Sequence, residues 1–313
     1  VLDDWCNSAP MISSHTFGGI AEYLAAAGKG RVLGLDVGSS QVTLVSAVEG
    51  QVDLLVRTDI GLGRPAKNIV GAEFDEDELN GLVGKGSAAA LADYMLDKSA
   101  HPNSVPLTSR TAKTELAMMG YMVRQVISDA ASAWAWPEDG CAPESNALLL
   151  RGRVFANSPN RSDALARILE ALPLRGAFRV VVDGFGILPA MGLLAGEDPD
   201  MVAQILRGTD LEQWAGVISP SCAPRGAQVG RVRPSDTWLT VSMESRSLNS
   251  IEVEVPFGHL EILPLATGER VKITLRPAAD LDVGAGPGQA RQMAISGGII
   301  GLVIDCRGRR IER

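Results

Sequence analysis

The sequence predicts an α/β protein with a mixed sheet, followed by an all-β region, and three observations carry that expectation. Three strand-length apolar runs follow one another between residues 31 and 57, joined by connections too short for a crossover. Two unbroken apolar runs, 147–150 and 178–182, come later and are separated by helical stretches. Beyond about Gln213 no helix-length amphipathic run remains. The 313 residues suit one large domain or two ordinary ones of ~100–200 residues each. A composition of 46% hydrophobic and 21% charged residues is that of a chain that buries a core.

Taken in order, residues 16–27 have helical spacing and Gly28 is the stop. The strands 31–37, 42–48 and 52–57 are linked by Gly38-Ser39-Ser40 and by Glu49-Gly50-Gln51, so they form an antiparallel meander. A bend containing Gly61 and Gly63 leads into a helical region over 75–99, whose acidic start suits the positive end of a helix dipole. His101-Pro102 to Pro106 interrupts it. A second helix over 109–134 places Leu116, Met119, Val123, Val126, Ile127 and Ala130 on one side, a core stripe.

The strand 147–150 precedes a helix over 161–172, capped by Ser162 or Asn160. The strand 178–182 precedes helices over 187–194 and 199–207. Apolar strands alternating with helices read as parallel strands covered on both faces. The order β-β-β-α-β-α-β-α is that of a ribonuclease H-like domain. Runs at 231–241, 250–255, 260–265, 270–276 and 293–304, with Pro and Gly between them, predict a sandwich or barrel. The expected division is a lead-in helix over 1–30, the ribonuclease H-like domain over 31–214 and the all-β domain over 215–313.

Charge and thiols narrow the function classes. A net charge of -8 gives no cationic face for nucleic acid or an anionic membrane, so neither is an expected partner. No run approaches the ~20 apolar residues of a membrane span. The N-terminus has no secretory pattern and no starting Met, which leads us to expect a processed chain or a piece of a longer one. Cys6, Cys141, Cys222 and Cys306 are far apart, as are His15, His101 and His259. We therefore expect free thiols, a cytoplasmic setting and no tightly bound metal.

The sharpest motif is Leu35-Asp36-Val37-Gly38-Ser39-Ser40-Gln41-Val42-Thr43, at the turn between the first two strands. Backbone N–H groups and hydroxyls of such a hairpin can approach phosphate oxygens, and Asp36 can hold magnesium through water. An ordinary hairpin turn uses the same residues. Asp59, Gly61 and Gly63 follow the third strand, where the glycines would permit positive φ and close approach, although a plain strand-to-helix turn reads alike. Asp183 and Gly184 end the last buried strand, where ligands gather in α/β sheets, although a plain strand–helix turn reads alike. The glycine cluster 284–288 reads as a loop, and Glu73, Asp75, Glu76, Asp77 and Glu78 as a solvated helix start.

Residues 36–43 resemble the second phosphate motif of the actin-like ATPase superfamily. Longer stretches resemble the MutL family of glutamate mutase accessory proteins, which is unrelated to the mismatch-repair protein of that name. They include VLGLDVGSSQVTLV (32–45), RTDIGLG (57–63), HPNSVPLT (101–108), ALLLRGRVFANSPN (147–160), VVVDGFGILPAMGLLA (180–195) and GLVIDCRGRRIE (301–312). The resemblance implies a chaperone-like or reactivating partner of an adenosylcobalamin-dependent mutase. It also implies ATP or ADP with magnesium, held by Asp36, Gly38, Ser39, Ser40 and Thr43, with Asp59, Gly61, Gly63, Asp183 and Gly184 as a second group.

Full-length members carry two actin-like halves, and this chain resembles the C-terminal one. A missing N-terminal half or a second copy would then complete the cleft, and any weak ATPase activity would require it. Two departures stand against that transfer. Arg151 and Arg153 occupy the expected adenosine-binding turn, and Leu44 and Val45 follow Thr43 where an acidic residue would close the hairpin. The sequence therefore carries a nucleotide-dependent reading first, and second a nucleotide-free scaffold that kept the fold. A small-molecule kinase lacks a substrate-base Asp.

Overall fold

The computed structural model describes residues 11–69, 87–136, 142–208, 211–222, 237–244, 250–278 and 281–307. Its elements are α1 (Ser13–Gly28), β1 (Val32–Val37), β2 (Val42–Val48), β3 (Gln51–Arg57), α2 (Ser87–Ala100), α3 (Ser109–Ala133), β4 (Ala147–Arg151), α4 (Arg153–Ala156), α5 (Arg161–Ala171) and β5 (Gly176–Asp183). They continue with α6 (Leu188–Ala195), α7 (Pro199–Gly208), β6 (Glu212–Ser219), β7 (Ser221–Cys222), β8 (Thr237–Glu244), β9 (Ile251–Pro256), β10 (Leu260–Leu263), β11 (Arg270–Pro277), β12 (Leu281–Asp282), β13 (Arg291–Ser296) and β14 (Gly301–Asp305). Two compact units divide the chain. The first comprises Val1–Trp134, Leu148–Leu172 and Val182–Leu211; the second comprises Ala135–Ala147, Pro173–Val181 and Glu212–Arg313.

In the first unit the strands lie in the order β4-β1-β2-β3. The meander is antiparallel, from Val32 opposite Ala47 to Val37 opposite Val42, and from Val42 opposite Arg57 to Val48 opposite Gln51. Every residue of β1, and β2 as far as Ala47, is buried, so side chains on both faces are covered. Helix α1 packs on β1–β3 through Phe17, Ile20, Ala21 and Ala25, all fully buried. A methyl group at Gly34 would stand 2.8 Å from the Phe17 ring, so a glycine in β1 makes room for the aromatic. Burying such apolar side chains contributes roughly 1.5–3 kcal/mol each.

Helix ends follow their residues. Lys29 turns into the left-handed region at φ 49° after α1. Thr108 and Thr111 form a reciprocal capping pair at the start of α3. Of the two caps the sequence offers for α5, Asn160 is used: its Oδ1 accepts from the Ser162 and Asp163 N–H groups. The acidic start expected for the helix over 75–99 lies outside the described residues, as do Glu73 and Asp75–Glu78; α2 begins at Ser87.

The second unit holds two layers. In one, β10, β14, β6 and β5 lie in that order, with β10 antiparallel to β14 and β14 parallel to β6, which makes the sheet mixed. In the other, β13-β11-β8-β9 is antiparallel throughout. The core packs Ile218, Leu302 and Ile304 with Val241, Ile273 and Leu275. The Trp238 and Phe257 rings meet edge to face, 4.7 Å apart. One sequence expectation needs correction here. The run 293–304 is two strands, because Gly297 and Gly298 press against the carbonyls of Leu265 and Trp214 and turn the chain. Strands β6 and β14 pair in parallel, which apolar content alone did not reveal, because such a pair joins residues across a long intervening connection.

Candidate functional site

The hairpin 38–41 is closed by the Gly38 N–H donating to the Gln41 carbonyl at 2.9 Å, leaving Ser39 and Ser40 exposed at its tip. Asp36 lies opposite Thr43 across the ladder and is 7% exposed. The bend after β3 lies against this tip, since the Leu62 N–H donates to the Gly38 carbonyl at 2.9 Å. Methyl groups at Gly61 and Gly63 would come within 3.1 Å and 2.5 Å of the Ser39 carbonyl oxygen. These glycines therefore let the bend pack closely on the hairpin backbone. Neither adopts the positive φ also expected of them.

Other candidates fall elsewhere. Thr43 is fully buried, and its hydroxyl accepts from the Gln41 side-chain amide at 3.2 Å, so it does not face a ligand at the tip. Asp59 is taken up by its neighbour on β3. It receives a two-pronged ion pair from Arg57, at 2.7 and 2.6 Å, and that guanidinium holds its carboxyl below the usual range. Asp183 is buried and caps the chain entering α6: its two oxygens accept the Ile187 and Leu188 N–H groups, each at 2.9 Å. Gly184 is exposed, with open space where a side chain would stand, and the neighbouring Phe185 is 76% exposed.

What the sequence did not anticipate is the destination of Arg151. At the end of β4 its Nη1 donates to Asp36 Oδ2, and its Nε stands 3.9 Å from Asp183 Oδ2. The backbone fixes this placement. Gly152 adopts φ 120°, and a side chain there would collide with the Val37 carbonyl, so the β4 turn is pressed against the strand carrying Asp36. Burial pushes the Asp36 carboxyl above its ordinary value, and the adjacent guanidinium opposes that rise without cancelling it. Arg153 turns the other way and donates to Asn103 Oδ1 at 3.3 Å. The resemblance put both arginines at an adenosine-binding turn, where they would obstruct an adenine or replace its contacts; the structure pairs Arg151 with the acid beside the hairpin. No local signal marked Arg151 for this role, because the pairing of β4 beside β1 is not written in the residues around it.

Asp36, Arg151 and Asp183 form a line of alternating charge. A magnesium-bound nucleotide does not fit this arrangement, because one oxygen of Asp36 already serves a cation. A second cation about 4 Å from the guanidinium would meet a repulsion of roughly 4 kcal/mol per unit of charge at an effective dielectric constant of about 20, opposed by the attraction of Asp36 and Asp183. Among the described residues, no group of three or more His, Cys, Asp or Glu side chains is placed to hold a metal ion.

A family model described as MutL protein matches residues 2–209, well over half of the chain. The chain belongs to the MutL family. The match takes in the hairpin, the bend and Arg151, but not the stretch 301–312 that also carried the resemblance. No curated protein matches the chain. No helix among the described residues of this MutL-family chain is long and apolar enough to cross a membrane.

Proposed function

We propose that this MutL-family chain is an accessory protein of an adenosylcobalamin-dependent mutase of the glutamate mutase type. Membership over residues 2–209 supports the mutase association. In this reading the fold is actin-like and acts as a docking body, and the chain by itself holds no magnesium nucleotide. The ion pair between Arg151 and Asp36 supports that mode, since it supplies from within the cation that the hairpin acid would otherwise take from a ligand.

A second reading keeps nucleotide in the cycle. The exposed hydroxyls of Ser39 and Ser40 favour it. It requires Arg151 to leave Asp36 and a second actin-like half or copy to close the cleft, with closure then biasing an open–closed equilibrium of the bound mutase. Capture of purified mutase by the immobilised chain, followed by assay of turnover recovery after inactivation, separates the two. The expected result is capture and recovery that are equal with and without Mg-ATP. Recovery that strictly requires Mg-ATP moves the conclusion to the second reading, and absence of capture rejects both.

A further inference from the structure

The first unit contains a cavity of about 300 Å³ that shares no residue with the hairpin. It lies between the loop 104–108, the first turns of α3 and the segment 153–163. Its lining sets the apolar side chains of Val105, Pro106, Leu107, Leu116, Val154 and Pro159 among polar ones, such as Thr108, Ser109, Asn157 and Asn160.

An ion pair lies in its lining. Lys98 Nζ and Glu115 Oε1 are 2.9 Å apart, with side chains 4% and 6% exposed. Lys98 also donates to the Ser104 carbonyl at 2.6 Å, and the Tyr94 hydroxyl donates to Glu115 Oε2 at 3.3 Å. The charges of this pair therefore cancel inside the wall. The rim is different: Lys113, Arg153 and Asp163 are exposed there, two cations against one carboxylate, on a chain whose net charge is -8. At the mouth Leu107 is 93% exposed and Val105 45%.

Protein interiors are normally filled to close packing, and a cavity of this size that offers both an apolar surface and convergent polar groups suits a small ligand with both kinds of surface. The apolar side chains call for a hydrocarbon body, and the surplus of cations at the rim calls for an anionic head. We propose that this cavity binds a small amphipathic carboxylate, its alkyl chain against Val105, Leu116 and Val154 and its head between Lys113 and Arg153. Arg153 is tied to the loop through Asn103, so an anion at the rim would also hold the loop against α4.

Octanoate tests this against octylammonium, which has the same tail with the opposite charge, and against acetate, which has the same head without the tail. Calorimetric titration of the full chain is expected to show octanoate binding at least tenfold tighter than either. Arg153→Glu, an exposed change, is expected to weaken octanoate at least tenfold and to narrow or reverse the preference over octylammonium. Val105→Trp, at a half-exposed position, is expected to block the mouth and abolish binding while the thermal melt stays intact. Equal affinity for the two heads, no octanoate binding at millimolar concentration, or affinity unchanged in both variants would overturn the proposal.

Discussion

At the scale of single residues, the Asp36–Arg151 pair has an energetic consequence that pH reveals. Removing one partner of a largely buried pair leaves the other charge desolvated and alone, so Arg151→Met is expected to cost about 2 kcal/mol near neutrality, discounted for the quarter of the arginine that meets solvent. Folded Asp36 titrates above 3.8, so between 3.8 and its folded value the folded chain binds the proton more tightly than the unfolded one. Its contribution is thus present below 3.8 and lost as pH rises through the folded value. Without the guanidinium the folded value climbs further, and the loss extends to higher pH. Urea unfolding of both proteins from pH 4.5 to 7 should show a stability gap that widens with pH; a gap that narrows would mean Arg151 does not oppose the effect of burial on Asp36. The sequence exposed Asp36, Ser39 and Ser40, because hairpin chemistry is local. It hid Arg151's role, because nothing local tells which of two nearby arginines faces the neighbouring strand.

At the scale of elements, close backbone approach explains more than propensity does. A methyl group at Gly192 in α6 would fall onto the Thr16 carbonyl of α1, and one at Gly19 would stand 3.1 Å from the Gly192 carbonyl. The two helices therefore meet backbone to backbone at small residues. Gly192→Ala is expected to force them apart and lower stability by about 2–3 kcal/mol, as overpacking of a close contact does. A thermal melt within about 1 °C of the parent would show that the contact yields freely. The meander and helices α1, α3 and α5 were legible because each is a self-contained pattern: alternation, a stripe, a cap. Strands β6 and β14 were not assigned to their sheet, because a parallel pair joins residues far apart in the chain, and apolar content alone does not name a strand's partner. The buried Lys98–Glu115 pair was likewise hidden, since each residue looks like an ordinary solvated helix position.

At the scale of the whole molecule, family membership, a mixed sheet and a hairpin acid neutralised from within by Arg151 are what the proposed accessory role rests on. The family was legible from stretches spread along the chain, because motif spelling survives in sequence. The state of the site was not, because it depends on a long-range ion pair. The decisive measurement is calorimetric titration of the full chain with Mg-ATP, beside Arg151→Ala and Asp36→Ala. The expected result is no heat from the parent chain at millimolar nucleotide, in keeping with a cation site already filled. Micromolar binding by the parent that disappears in Asp36→Ala would contradict it, since the hairpin would then hold nucleotide with Arg151 in place.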